Sequence, residues 1–442
     1  MAIDASQTGG AIAPVAVRQW APRDEVAPRL GEPGQEVLSA SSNGSEGCIG
    51  GWDLVYPPGE VGAHFAFGVD VRWEGVRDGF ESTAVEAIWQ DAAGRVVDWA
   101  PLWEWAPAAD GDWVRMHGML PNVSGAAWLV VRLSLRWSPT GRVCWRAARL
   151  DPVARPEPRR LRLGAAHVQF TAEEQTLERH AARFLKVCEE AGRAGVDLLC
   201  LPEVILSWGL PHARGAALYD QAVEIPGPWM EPFCACARRH GMAIGFSVQE
   251  RAAELVHNAG VLIDADGRLA ARYRKVHLAH QEVWQGVTPG REFPVVEIGP
   301  ARARVAMNIC MDSSEAESAR LPARLGAEVL LLPIMGDHRS DGRARAAPRF
   351  DPERWQLIQR MRAMDNYLYL VAARNHGEGS GVFGPDGSVP ALGDGSAAVV
   401  HADVDLAGRE QSWSGAPFRD VGWAVRRECL YGALSGGTLP RL

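Results

Sequence analysis

Lysine is nearly absent from this 442-residue chain. Lys186 and Lys275 are the two it has, and arginine supplies the other 44 of its 46 basic residues. Long apolar runs are also missing. Val329-Leu330-Leu331-Leu332-Pro333-Ile334-Met335 is among the longest, far short of the ~20 residues a membrane span needs, so no membrane partner is expected. The opening stretch MAIDASQTGGAIAPV has neither the basic head nor the apolar segment of a secretory leader. The eight cysteines show no paired ligand spacing. They read as free thiols in a reducing cytoplasm, with no metal and no cofactor expected. Positive charge is in deficit: the net charge is −8 and the pI about 5.9. A dedicated nucleic-acid binder is usually basic, so no nucleic-acid partner is expected.

Tryptophan is abundant instead. There are 17, and 11 of them lie at or before Trp145. In that first part the pattern is short strands, at 62–73, 84–89, 113–119 and 127–135, separated by turn signals such as Asp91-Ala92-Ala93-Gly94. An all-β sandwich over 1–150 is expected. Residues 99, 103 and 105 would share one strand face, and three tryptophans on one face imply a buried face. Packing is therefore favoured over sugar stacking for these rings. The Pro- and Arg-rich segment 151–160 reads as a linker. From 161 to 442, strands alternate with helices, which predicts an α/β domain with a C-terminal extension.

Three chemically capable residues stand at strand ends there. Cys310 follows Val305-Ala306-Met307-Asn308-Ile309, and Ser314 with Glu317 is a capping-box signature just beyond it. A thiol at a helix N-terminus feels the positive end of the dipole, which lowers its pKa. Glu203 follows the apolar run ending Leu199-Cys200-Leu201-Pro202, at the sheet rim where α/β sites form. Lys275 ends Tyr273-Arg274-Lys275. A chain that writes arginine almost everywhere has kept an amine at this position. Taken singly, each has an ordinary alternative: a small buried hydrophobe, a solvated acid, a surface cation.

Together, the order Glu, Lys, Cys resembles the nitrilase superfamily of carbon–nitrogen hydrolases. The motifs are Leu-Cys-Leu-Pro-Glu203, Tyr-Arg-Lys275-Val-His-Leu and Met-Asn-Ile-Cys310-Met-Asp312. Gly326-Ala327-Glu328 before a buried strand, Arg362-Ala363-Met364-Asp365-Asn366 and Ala373-Arg374-Asn375-His376-Gly377 extend the likeness over roughly 161–406. The resemblance implies a four-layer αββα sandwich that pairs with a second copy into a homodimer or larger assembly. It implies a second glutamate between the lysine and the cysteine, for which Glu282 is the match. Gly50-Gly51-Trp52 and Trp145 make the first domain look like jelly-roll modules attached to carbohydrate-active enzymes.

The implied chemistry is hydrolysis of a small-molecule amide through a Cys310 thioester. Glu203 is the general base, and Lys275 with the Met311 backbone N–H receives the oxyanion. Met311-Asp312 after the cysteine is closer to the amidase form than to the Trp-Glu of nitrilases. N-carbamoyl amide hydrolysis and nitrile hydrolysis are the alternatives within that chemistry. A catalytically dead binding or scaffold protein is the alternative outside it. Trp208, Trp284 and His338 are candidates for walling the pocket. His277 and His280 lack the partners of a metal site and read as structural or substrate-facing. Cys234 and Cys236 read as core.

Overall fold

The computed structural model describes residues 10–32, 36–57, 64–102, 104–168, 176–207, 210, 216–335, 351–375 and 378–407, with short stretches between 412 and 432. The chain divides into two compact units. One is Met1–Glu157 with Glu410–Leu442; the other is Pro158–Arg409. The sequence reading keeps 410–442 with the second domain. Local pairing accounts for the difference: Arg427 meets Glu81 at 3.2 Å and lies over the Trp137 ring.

The first unit is two antiparallel sheets. One runs Arg29–Leu30, Leu38–Ser41, Arg142–Val153, His64–Glu74, Val114–Pro121, Glu104–Pro107. The other runs Ala16–Trp20, Ile49–Tyr56, Trp128–Arg136, Thr83–Gln90, Val96–Leu102. Side chains from both sheets, including Trp52, Tyr56, Phe67, Trp89, Leu133 and Trp145, share one core. The strands obey period two: in Trp128–Arg136, Leu129, Val131, Leu133 and Leu135 face that core.

The expected tryptophan face does not form. Its strand ends at Leu102, and the next, Glu104–Pro107, belongs to the opposite sheet. The chain changes sheets, so alternation cannot be carried across it. Trp99 is half-buried against Val55, Ile88 and Val130. Trp105 is 51% exposed and lies 4.9 Å from Phe80. Trp103 lies outside the described residues.

The second unit holds two six-stranded sheets. In the first, Arg160–Ala166, Leu198–Cys200 and Ala243–Ala252 are parallel neighbours. Antiparallel Leu255–Ile263 and Leu269–Arg274 extend one side and Val399–Asp405 the other. In the second, Ala303–Met307, Val329–Ile334 and Tyr369–Arg374 are parallel, flanked by Val296–Ile298 and Gly381–Phe383. The two sheets pack through Leu163, Leu198, Leu262, Val305, Leu331 and Val371, all essentially inaccessible. Strands covered on both faces read as continuous apolar runs, as Val329–Ile334 does.

Helices close the outer faces. Leu177–Arg193 and Glu231–His240 set Phe184, Val187, Cys188, Phe233 and Cys236 against Leu199, Ile244 and Phe246 of the first sheet. Thr176 caps the first helix by accepting from the Arg179 N–H. The unit thus has the expected helix–sheet–sheet–helix order, with Ala316–Arg324 and Pro352–Asn366 on the second sheet's side. Glu328 anchors the unit's first strand, accepting Arg159 Nη1 and Nη2 at 2.7 and 2.9 Å. Among the described residues, no helix is long and apolar enough to cross a membrane.

Candidate active site

Parallel strands present their carboxyl ends on one rim, and the candidate residues follow those ends. Glu203 comes after Leu198–Cys200, Lys275 directly after Leu269–Arg274, and Cys310 three residues after Ala303–Met307. Met335 follows Val329–Ile334, and Asn375 follows Tyr369–Arg374. Two of these turns hold non-glycine residues in the left-handed region: Val204 at φ +45° and Cys310 at φ +44°. A β-branched residue there is strained, and such strain gathers at functional sites. Ser247 steadies the first turn by accepting the Val204 N–H at 2.8 Å.

The structure brings together all four residues assigned to catalysis. Lys275 Nζ donates to Glu203 Oε1 at 2.9 Å and to Glu282 Oε2 at 2.7 Å. Lys275 is 1% exposed and Glu203 2%. Glu203 Oε2 accepts the Met335 backbone N–H at 2.8 Å, and Asn375 Nδ2 donates to the Glu203 carbonyl at 3.1 Å. Glu282 lies on a helical turn, His280–Gln285, rather than in a loop, and also accepts the Ala279 N–H at 2.7 Å. Burial works against the Lys275 charge, but Glu203, Cys310 and Glu282 outweigh it and hold the ammonium well above the usual lysine range.

Cys310 corrects the expectation of an activated thiol. The α-helix after it begins only at Ala316, with Glu315 rather than Ser314 at its cap; Cys310 itself opens a five-residue 3-10 turn, Cys310–Ser314. A turn that short supplies little dipole. Burial, with repulsion from Glu203 and Glu282 and a hydrogen bond to Glu203, raises the thiol well above its usual range, against the opposing pull of Lys275. Its surroundings thus favour the thiol over the thiolate, the reverse of the sequence expectation.

Two residues that sequence reasoning left unassigned complete the geometry. Asn258 is 2% exposed, and its Nδ2 donates to Glu203 Oε1 at 2.8 Å and to Glu282 Oε1 at 2.7 Å. The amide orientation is settled by these partners: turned over, its oxygen would face two carboxylates. The available signal was an asparagine inside the apolar strand Leu255–Ile263, where a buried polar group needs partners. Asp312, wholly buried, fixes the nucleophile turn. Its Oδ2 accepts the Ile309 N–H at 2.8 Å and the Tyr273 hydroxyl at 2.7 Å, and its Oδ1 accepts the His277 N–H at 2.9 Å. The His277 ring bonds the same oxygen at 2.9 Å; that hydrogen bond outweighs burial and raises the imidazole pKa.

The pocket candidates fare unevenly. Met311 is 40% exposed beside Cys310, and Trp284 is 69% exposed, stacked on His280. Trp208 and His338 lie outside the described residues. Cys236 is buried as expected, but it sits against Cys188 rather than among apolar groups alone.

This site joins a buried lysine, two carboxylates and a cysteine at the rim of an αββα unit, the constellation of a thiol hydrolase. The sequence profile of the family "Carbon-nitrogen hydrolase" matches residues 164–412, more than half the chain, and the chain belongs to that family. It is thus a hydrolase acting on carbon–nitrogen bonds other than peptide bonds. It is 28% identical over 264 residues to human omega-amidase NIT2, covering 55% of this chain and 88% of that protein. It is 26% identical to a chloroplastic omega-amidase from Arabidopsis thaliana, covering 60% of this chain and 73% of that one. A carbon–nitrogen hydrolase from Helicobacter pylori G27 shares the fold, with a TM-score of 0.52 at 22% identity over 63% of this chain and 99% of that chain. The NitFhit protein of C. elegans does so with a TM-score of 0.51 at 23% identity, over 62% of this chain and 66% of that chain.

Proposed function

We propose that the protein hydrolyses a small-molecule amide to an acid and ammonia or an amine through a thioester on Cys310. The observation that carries this reading is the buried Lys275 amine bonded to both Glu203 and Glu282 beside Cys310. As substrate arrives, Glu203 takes the thiol proton and Sγ attacks the amide carbon. The carbonyl oxygen becomes an oxyanion facing Lys275 and the Met311 backbone N–H, and each such donor is worth ~3 kcal/mol in the transition state. Collapse breaks the carbon–nitrogen bond, and Glu203 hands its proton to the departing nitrogen. Glu203 next takes a proton from water, whose oxygen attacks the thioester. The second collapse frees the acid, and the thiolate recovers its proton from Glu203. Glu282 holds Lys275 charged and aimed. No step calls on a metal.

The names of the omega-amidase relatives support an amide over a nitrile or a carbamoyl group. For the first unit, with Ala16–Trp20, Arg29–Leu30 and Glu104–Pro107 set aside, the eight remaining strands numbered in chain order fall as 1-8-3-6 in one sheet and 2-7-4-5 in the other, which supports reading it as a jelly roll. The functional test is ammonia release from a panel of amides, ureido acids and nitriles, with mass spectrometry of quenched turnover. Amide turnover with an acyl group on the Cys310 peptide is expected. Turnover confined to nitriles, or an adduct on another cysteine, would overturn the reading.

A further inference from the structure

Away from the catalytic group, a second cluster lies between two outer helices. Among the described residues, Glu189, Cys236 and His240 have ligand atoms all within 4.8 Å of one another. Cys236 and His240 are one helical turn apart and share a face of Glu231–His240. Glu189 comes from the neighbouring helix, Leu177–Arg193. Cys188, the residue before it, is buried in the same core cluster as Cys236. Two cysteines 48 positions apart in sequence thus share one core at this interhelical seam.

The local packing is shaped around the imidazole. A Cβ at Gly192 would sit 2.3 Å from the His240 ring, so only glycine there lets the ring into the seam. His240 Nε2 is 2.8 Å from Glu189 Oε2, while Arg239 pairs with the other oxygen, Oε1. Cys236 is 1% exposed, whereas the His240 and Glu189 side chains are 15% and 32% exposed, which leaves an entry path from solvent.

We propose that Glu189, Cys236 and His240 bind one zinc-class divalent cation that ties these two helices together. One sulfur, an imidazole nitrogen and one carboxylate oxygen make a three-donor set that leaves a fourth tetrahedral position to water, suited to Zn²⁺ and unsuited to Mg²⁺ or Ca²⁺. Zn–S bonds of about 2.3 Å and Zn–N bonds of about 2.0 Å need only a modest contraction of such a cluster. Binding expels the Cys236 thiol proton to solvent and leaves the imidazole neutral. One thiolate and one carboxylate balance the doubly charged ion, and the Arg239 guanidinium stays paired with the other Glu189 oxygen. The ion takes no part in hydrolysis.

The test is titration of the reduced, metal-stripped, full-length protein with Co²⁺ alone, then Zn²⁺. One equivalent of Co²⁺ should give sulfur-to-cobalt charge-transfer absorption and a tetrahedral ligand-field band, displaced by Zn²⁺, which should also raise the melting temperature. Cys236→Ser should abolish the absorption, and His240→Ala should weaken binding at least ~10-fold. Cys234→Ser and Cys310→Ala leave the seam intact and should bind as the wild type does. They keep the assignment testable if Cys236→Ser fails to fold. The proposal is overturned if the reduced wild type gives no cobalt–thiolate absorption. It is equally overturned if the absorption survives Cys236→Ser or is lost in Cys310→Ala.

Discussion

Asn258 offers the sharpest test of how the catalytic carboxylates are held. Its one amide nitrogen spans two acids at 2.8 and 2.7 Å, and it is 2% exposed, so water has little room to take its place. Hydrogen bonds to charged groups contribute about 1.5–3 kcal/mol each, so Asn258→Ala removes roughly 3–6 kcal/mol of gross interaction. Lys275 still bonds both acids and relaxation recovers part, which leaves about 3 kcal/mol. If that loss falls on the aim of Glu203 and Lys275, turnover drops roughly 100-fold. Asn258→Asp keeps the shape and removes the donors. It sets a third carboxylate against two, and its folded pKa must rise above the ~3.9 of an unfolded aspartate. A group raised in this way stabilises the fold below its unfolded pKa and loses that contribution as pH climbs through the folded value. The Asp variant should therefore approach wild type in melting temperature near pH 4 and fall progressively behind toward pH 8. Thermal melts across pH, with amide turnover measured in parallel, are the assay. Wild-type turnover in Asn258→Ala, or a pH-independent stability difference in Asn258→Asp, would refute the reasoning.

Other expectations follow from the same geometry. Cys310→Ala should remove hydrolysis while leaving circular dichroism and melting behaviour near those of the wild type; residual turnover above ~1% would exclude Cys310 as the nucleophile. Lys275→Arg keeps the charge but not the compact ammonium between Glu203 and Glu282, and should cost at least ~100-fold in turnover. Because burial and Glu203 raise the resting Cys310 thiol, its alkylation by a small neutral reagent should be slow at pH 7 and keep rising beyond the usual thiol range; a plateau already reached at pH 7 would contradict that. A chain starting at Pro156 loses Glu81 and Trp137, the partners of Arg427, and should aggregate or change its assembly; a soluble, fully active chain of unchanged size would show the first unit to be dispensable.

What the sequence disclosed and what it withheld separate along physical lines. Glu203, Lys275 and Cys310 each follow a strand, so order and neighbours placed them at one rim. Pro352–Asn366 was legible to the residue, because Asp351 caps it and proline opens it. Asn258 was hidden because its partners come from 55 residues upstream and 24 downstream. The Cys188–Cys236 contact was hidden for the same reason, two helices meeting across a long separation. The tryptophan face failed differently: alternation is a property of one strand, and the chain changes sheets between Leu102 and Glu104. The sign of the Cys310 shift also needed coordinates. A dipole can be guessed from a helix start, but burial beside two carboxylates cannot.

That shift gives the proposed mechanism its economy of charge. In the proposed mechanism the resting group holds two carboxylates, one ammonium and a thiol, a net charge of −1. In the tetrahedral intermediate, Glu203 carries the proton, and the negative charge sits on the substrate oxygen near Lys275. The total is again −1. Charge moves a few ångströms within a fixed set of donors, and the low-dielectric site never has to accept or expel a net charge. A thiolate formed in advance would add a second uncompensated negative charge to the same cavity. Keeping Cys310 protonated until substrate supplies somewhere for the electrons to go avoids that cost. It also explains why one lysine stands against two glutamates: Glu282 balances Lys275 throughout, which frees Glu203 to trade its charge for a proton twice in each turnover.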